Sequence, residues 1–163
     1  MTTTTRETTI EAVPDLPVVR ITREFDAPPA RVFDAHVDVE KVKRWLGPRR
    51  LTMTVQRWDA ETGGGYRYTH LDEQGEYRFY GSFNEVRPAE RIVQTFTYEG
   101  FPDSVCLESM TFTALDGGRT RLVGTSLFGS VEDRDAMLAS GMEVGINEGY
   151  AALDRMLAAG ELA

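Results

Sequence analysis

The chain has 163 residues, of which 41% are hydrophobic and 27% charged, a balance typical of one water-soluble globular domain. Its formal net charge of -8 opposes contact with phosphate backbones and anionic membranes, so we expect no nucleic-acid partner. No segment reaches the roughly 18 apolar residues of a membrane span, and the N-terminus lacks the apolar core of a secretory signal. With Cys106 as the lone cysteine, the sequence predicts a cytoplasmic protein without disulfides or membrane insertion.

The first part of the chain predicts a tail, one strand and two short helices. Residues 1–17 are rich in Thr and contain two prolines, so we expect a flexible tail before a single domain over residues 18–163. The β-branched run from Val18 to Phe25 favours a strand. The Pro28-Pro29 pair then favours a helix start, and Asp38 can cap a second short helix.

The middle of the chain predicts successive strands joined by short turns. Apolar and polar residues alternate from Leu51 onwards, and turn signals interrupt them at Gly63-Gly64-Gly65, Asp72-Glu73-Gln74-Gly75 and Asp116-Gly117-Gly118. Strands that follow one another without intervening helices indicate an antiparallel meander.

The C-terminal segment predicts a helix. Ser130 and Asp133 have capping spacing, and Leu138, Met142 and Ile146 begin an apolar repeat that continues towards Leu157. An unbroken helix over this segment would be roughly 40 Å long, enough to cross a sheet from edge to edge.

Three glycines of this segment, Gly141, Gly145 and Gly149, are four residues apart and would share one stripe of the helix. A stripe without side chains allows either close packing against neighbouring backbone or open space that forms a cavity wall. Both interpretations remain open from the sequence.

Strand, two short helices, meander and long helix is the order of elements in the START-like superfamily, also called SRPBCC or Bet v 1-like. Within it, the chain resembles bacterial proteins similar to the C-terminal domain of the activator of Hsp90 ATPase. The resemblance covers residues 18–158 and is carried by Phe25-Asp26-Ala27-Pro28, Val32-Phe33-Asp34-Ala35, Trp45-Leu46-Gly47-Pro48, Gly63-Gly64, the run 81–93 and the run 149–157. It implies an α+β helix-grip fold: a curved antiparallel sheet of about seven strands around a long C-terminal helix, with two short helices after the first strand.

The sequence departs from this family at one position. Members often have an arginine just before the Gly-Gly pair, where this chain has Glu61-Thr62. We also expect no counterpart of the separate N-terminal domain of the eukaryotic co-chaperone, so activation of a chaperone does not follow from the resemblance. A homodimer and a chaperone partner are implied by the family alone.

The alternation of residues along each strand predicts which side chains face the interior. They form a set rich in aromatic residues and methionine, completed by side chains of the helices, and we expect them to line a cavity that binds a ligand: Phe33, Trp45, Tyr66, Tyr68, Phe79, Phe83, Gln94, Phe96, Tyr98, Glu108, Met110, Phe112, Met142, Ile146 and Tyr150. The same residues would equally suit a packed core. A cavity is the expectation because a curved sheet around one helix leaves unfilled space, and ligand pockets are apolar with few polar groups.

Four polar residues fall on this inner face: Arg23, His70, Gln94 and Glu108. Some could orient the polar group of a ligand, whereas His70, beside the Asp72–Gly75 turn, is expected to reach solvent.

The residues therefore favour a non-catalytic binder of a small hydrophobic molecule, aromatic or acyl. The alternatives are an enzyme of the polyketide-cyclase or hydrolase kind, with Glu108 and either His70 or Arg23 as the acid–base pair, and a modulator of an Hsp90-type chaperone. Neither a metal site nor a cofactor is expected, because the chain has two histidines and no metal-ligand or phosphate-loop motif.

Overall fold

A computed structural model of the chain describes residues 8–160, which form eight strands and four helices. The strands are β1 (Thr9–Ala12), β2 (Val18–Phe25), β3 (Thr52–Trp58), β4 (Gly65–Asp72), β5 (Gly75–Arg87), β6 (Arg91–Tyr98), β7 (Val105–Leu115) and β8 (Arg119–Leu127). The helices are α1 (Pro29–Val37), α2 (Val39–Trp45), α3 (Val131–Ala139) and α4 (Met142–Ala158).

All eight strands form one antiparallel sheet in the order β1-β2-β8-β7-β6-β5-β4-β3. Each strand from β3 to β8 pairs with its sequence neighbour, while β2 joins the far side of β8. The register shifts between Val55 and Arg57 and between Phe83 and Glu85, which are irregularities that bend strands. The predicted α+β helix-grip architecture is confirmed.

The N-terminal segment differs from the prediction. Part of the expected tail forms β1, which pairs with β2 from Thr9↔Thr22 to Ala12↔Val19. This strand accounts for the eighth member of the sheet, where about seven were expected. Residues 1–7 of the expected tail lie outside the described residues.

The predicted C-terminal helix is broken. Gly141 adopts a left-handed backbone conformation with φ of 90°, which separates α3 from α4. The side chain of Ser130 caps α3, because its Oγ accepts a hydrogen bond from the Asp133 backbone at 3.0 Å. The 17 residues of α4 therefore form a helix of roughly 25 Å, instead of the expected 40 Å.

Two tryptophans connect the short helices to their surroundings. Trp45 donates its indole N–H to the Ala35 carbonyl oxygen at 2.9 Å, which joins α2 to α1. Trp58 of β3 donates to the Val37 carbonyl oxygen at 2.7 Å. These bonds satisfy the one polar atom of each indole and hold α1 and α2 at the β3 end of the fold.

The glycines on α4 allow its backbone to pack closely against neighbouring residues. A Cβ at Gly149 would lie 3.0 Å from the Trp45 carbonyl oxygen, so the α4 backbone contacts the end of α2 directly. Gly145 faces Pro48 at an ordinary contact distance, and Gly141 lies in the helix break. Among the described residues, no helix is both long and apolar enough to span a membrane.

Candidate functional site

Six of the predicted cavity residues belong to the packed core. Their side chains are at most 6% exposed and cluster with Phe25, Leu122 and Leu153 beneath α1 and α4: Phe33, Trp45, Tyr66, Tyr68, Phe83 and Phe112. The rings of Phe33 and Phe112, for example, meet edge to face with centroids 5.4 Å apart. These six side chains therefore belong to the core that holds the fold together.

The other nine predicted residues are all half-buried, so solvent reaches part of each side chain: Phe79, Gln94, Phe96, Tyr98, Glu108, Met110, Met142, Ile146 and Tyr150. Six belong to β5, β6 and β7, and three belong to α4. The predicted residues that are not fully buried therefore lie on the central strands and on α4.

A polar group occupies this region. Gln94 of β6 and Glu108 of β7 are cross-strand partners, and the Gln94 amide donates to Glu108 Oε1 at 3.3 Å and to the Tyr66 hydroxyl at 3.4 Å. The Tyr66 hydroxyl itself donates to the Thr95 carbonyl oxygen at 2.6 Å. The carboxyl group is thus supported by a short hydrogen-bonded chain across three strands.

Gly81 makes the position of Tyr66 possible. The two residues pair across β4 and β5, and a Cβ at Gly81 would lie 2.6 Å from the Tyr66 hydroxyl and 2.0 Å from the Thr95 carbonyl oxygen. Any side chain here would displace the Tyr66 ring. Glycine is therefore required because the neighbouring atoms leave no room for a Cβ, and not because of its backbone conformation.

The carboxyl group of Glu108 is poorly hydrated. Removal from water raises the pKa of Glu108 to about 7, although the hydrogen bond from Gln94 opposes the shift. Burial likewise raises the pKa of Tyr150 on α4, and the Glu108 charge adds to that rise. Both side chains are half-buried, and they belong to β7 and α4 respectively.

A cavity of about 210 Å³ lies between α3 and the sheet. Its lining is mainly apolar and comprises Phe96, Tyr98, Phe101, Ser104, Cys106, Phe128, Asp133, Ala136, Met137 and Ser140. Cys106 and Glu108 are two residues apart on one face of β7, as are Phe96 and Gln94 on β6, so the cavity adjoins the polar pair.

Only Phe96 and Tyr98 of these lining residues were predicted from the sequence. The others were missed because the apolar spacing predicts one long helix where the structure has α3 and α4. Once Gly141 breaks the helix, α3 covers the end of the sheet separately. A glycine directly before the Met142 repeat was the available signal.

Arg134 holds α3 against the β1–β2 connection. Its guanidinium donates to the Val13 carbonyl oxygen at 2.7 Å and to the Leu16 carbonyl oxygen at 2.5 Å, and it is 8% exposed. On the opposite side, the Ser104 hydroxyl lies 3.4 Å from Asp133 Oδ2. The helix α3, which covers the cavity, is therefore held by hydrogen bonds on both of its sides.

The other two predicted polar residues lie elsewhere. His70 is 5% exposed and contacts Gly47, Tyr68 and Phe79, so the expectation that it reaches solvent is wrong. Arg23 forms an ion pair with Asp154 of α4. Neither residue is hydrogen-bonded to Glu108, so the acid–base pairs considered from the sequence are not formed among the described residues.

A second, larger concavity of about 790 Å³ lies on the surface at the β4–β5 hairpin. Its lining is largely polar and comprises Arg50, Thr52, Leu71, Asp72, Glu73, Gln74 and Tyr77. It is open to solvent, and Arg50 and Asp72 already form a 2.8 Å ion pair across it. An open polar groove excludes little water, so it suits a small apolar ligand less than the cavity under α3.

No group of three potential metal ligands occurs within residues 8–160. Burial, with a contribution from the Glu108 charge, raises the pKa of the Cys106 thiol, which makes it an unreactive nucleophile at neutral pH. The site therefore offers apolar surface and two carboxyl groups, that of Asp133 in the cavity lining and that of Glu108 beside it.

Comparisons with known proteins place the chain in a family. The sequence model described as "Activator of Hsp90 ATPase homolog 1-like protein" matches residues 26–158. A comparison with curated proteins found no match. A Rhodobacter sphaeroides crystal structure is 26% identical with a TM-score of 0.85, covering 94% of this chain and 99% of that one. Protein Ms6760 from Mycobacterium smegmatis is 26% identical with a TM-score of 0.82, covering 93% and 97%.

DynU16, a protein of the dynemicin biosynthetic locus, has a similar fold, with a TM-score of 0.66 at 23% identity, covering 90% of this chain and 49% of that one. At that identity the likeness extends to the fold alone. Since the family match covers most of the chain and the structures agree with it, the chain belongs to the activator of Hsp90 ATPase homolog 1-like family.

Proposed function

We propose that this protein binds a small hydrophobic ligand, aromatic or acyl, in the cavity under α3 and the adjoining space beside Glu108. The observation that carries the proposal is the half-enclosed, mainly apolar cavity of about 210 Å³ between α3 and the sheet. Its volume is below the 300–1,000 Å³ typical of ligand pockets, so a compact ligand of one or two rings fits best, with the adjoining space adding room.

The chemistry of the lining supports binding rather than turnover. Phe96, Phe128 and Met137 provide apolar surface, and Cys106 is protonated at neutral pH. Burial of apolar ligand surface contributes about 25 cal/mol per Å², so even a small aromatic ligand gains several kcal/mol before the entropic cost of association.

Ala136 provides a direct test of this cavity. It lies on α3 at the cavity rim, so the Ala136→Trp substitution should fill the opening and weaken binding of 1-naphthylmethanol, a neutral two-ring probe, by tenfold or more. Ala139→Trp is the matched control, since Ala139 is an exposed alanine of the same helix outside the lining. Equal probe affinity in the two variants would contradict the proposed location.

Native mass spectrometry of the freshly purified protein adds an independent measurement. A retained mass that is absent from Ala136→Trp and present in Ala139→Trp would support binding at this cavity and would identify the size of the ligand.

One observation favours catalysis as a second candidate. A carboxyl group with a pKa of about 7 can act as a general acid or base near neutral pH, as an enzyme of the cyclase or hydrolase kind would require. Conversion of an aromatic polyketide that is lost on Glu108→Gln would support it. No feature of the site favours the chaperone-modulator alternative, which rests on the family description.

A further inference from the structure

Two oxygen atoms beside the cavity have no hydrogen-bond partner among residues 8–160. The amide nitrogen of Gln94 donates to both Tyr66 and Glu108, which leaves Gln94 Oε1 and Glu108 Oε2 free to interact with another molecule. No described residue forms a hydrogen bond with either atom. Both atoms are acceptors when Glu108 is ionised, so the site is arranged for a ligand that donates hydrogen bonds.

No cation of the described chain neutralises Glu108. The nearby guanidinium of Arg23 is paired with Asp154 and also donates to the Thr8 hydroxyl at 2.8 Å. The titratable groups whose pKa values respond to Glu108 carry no positive charge, and they come from β4, β7 and α4: Tyr66, Tyr68, Cys106 and Tyr150. A positive charge at this carboxylate would have to come from a ligand.

Aromatic rings continue from this polar pair along the inner face. Tyr68 stacks on Phe79 with centroids 5.2 Å apart, and Phe79 stacks on Phe96 at 5.3 Å. Phe96 also lines the cavity under α3. The site thus combines aromatic rings with two carboxyl groups: Glu108, and Asp133 in the cavity lining, which already accepts a hydrogen bond from Ser104 at 3.4 Å. Aromatic and carboxylate groups are the surroundings that an organic ammonium group prefers.

We propose that the preferred ligand is a small hydrophobic amine whose ammonium group donates to Glu108 Oε2 and Gln94 Oε1 while its apolar body occupies the cavity under α3. This inference rests on the proposed function and specifies the ligand class for the same site. The net charge of -8 would add long-range attraction for a cation.

The proposal predicts a defined pH dependence. Only ionised Glu108 pairs with an ammonium group, and its pKa of about 7 leaves roughly a tenth of the molecules ionised at pH 6. An alkylammonium group, like the Lys side chain, stays protonated up to about pH 9. Apparent affinity for the amine should therefore be roughly tenfold higher at pH 8 than at pH 6, with little change above pH 8.

The experiment compares 1-naphthylmethylamine with the neutral 1-naphthylmethanol by isothermal titration calorimetry at pH 6 and pH 8. The wild-type protein should bind the amine at least tenfold more tightly than the alcohol at pH 8. Glu108→Gln should remove both this preference and the pH dependence. The control, Glu76→Gln, removes the same charge from an exposed position and should preserve the preference.

Each contrary outcome has a separate meaning. Equal affinity for the two compounds, or an amine preference that survives in Glu108→Gln, would overturn the amine inference and leave the binder proposal standing. Failure of the wild-type protein to bind either compound would count against both. If Glu108→Gln binds neither compound and unfolds early on heating, the wild-type pH profile decides, and an amine affinity equal at pH 6 and pH 8 would overturn the inference.

Discussion

Glu108 shows how one residue can have opposite effects on function and stability. Its carboxyl group lies on the inner face of β7, and desolvation raises its pKa from 4.5 to about 7. Between these values the folded protein holds a proton that the unfolded chain has released, so this residue lowers the free energy of unfolding as pH rises from 4.5 to 7. Retaining an ionisable group at such a cost is typical of functional sites.

We expect Glu108→Gln to become more stable relative to wild type as pH increases. The amide does not titrate, so the difference in the free energy of unfolding should grow by up to about 3 kcal/mol between pH 4.5 and pH 8. Urea unfolding of both proteins across this range measures the difference. A difference that stays constant with pH would show that Glu108 has an ordinary pKa.

The comparison isolates Glu108 from the histidines. Burial lowers the pKa of His36 to about 4 and also lowers that of His70, so both groups favour folding above pH 6.5 and lose that contribution as pH falls. These contributions are the same in the wild type and in Glu108→Gln, so they cancel in the difference between the two free energies of unfolding.

Among the elements, α4 depends on two glycines with different surroundings. Gly149 packs on the Trp45 carbonyl oxygen, whereas Gly145 has an ordinary contact with Pro48. Helix propensity alone favours alanine at either position by about 1 kcal/mol. The local packing therefore decides whether each substitution raises or lowers the free energy of unfolding.

Gly149→Ala should destabilise the protein by about 1–2 kcal/mol, because the new Cβ would lie 3.0 Å from a backbone oxygen and force α4 away from α2. Gly145→Ala, the matched control on the same helix, should stabilise it by about 0.5–1 kcal/mol. Chemical denaturation of both variants measures the contrast. Equal effects would mean that α4 is not in direct contact with the end of α2.

At the scale of the whole molecule, the pair Arg23–Asp154 joins β2 to α4 and so connects the sheet to its covering helix. The two partners differ in environment, because the Arg23 side chain is 5% exposed and that of Asp154 is 32% exposed. Loss of one partner therefore has a different cost from loss of the other.

Asp154→Leu should cost about 3–5 kcal/mol in the free energy of unfolding, because it leaves the buried Arg23 charge uncompensated. Arg23→Met should cost less, about 1–3 kcal/mol, since Asp154 can still reach water. The double variant should recover much of the loss, as apolar replacements of buried ion pairs often do. If the double variant loses as much free energy of unfolding as the two single variants lose together, the pair does not interact.

Local patterns were sufficient to predict most of the architecture. Strand alternation, turn glycines and the caps at Asp38 and Ser130 act over a few residues, so the sequence predicted the meander, the short helices and the inner-face residues. Two elements escaped this reasoning. β1 forms only because β2 provides an edge to pair with, and the break at Gly141 separates two segments whose apolar spacing is otherwise continuous.

The sequence by itself determined the composition of the interior: aromatic rings, methionines and a few polar groups on one face of the sheet. The tertiary structure decided which of these are core and which border open space, because burial depends on what packs opposite each side chain. Tyr66 is buried by its contacts over Gly81, whereas Glu108 and Phe96 adjoin a cavity that exists because α3 packs as a separate helix. Alternation fixes the direction of a side chain, but only the packed fold fixes its distance from its neighbours.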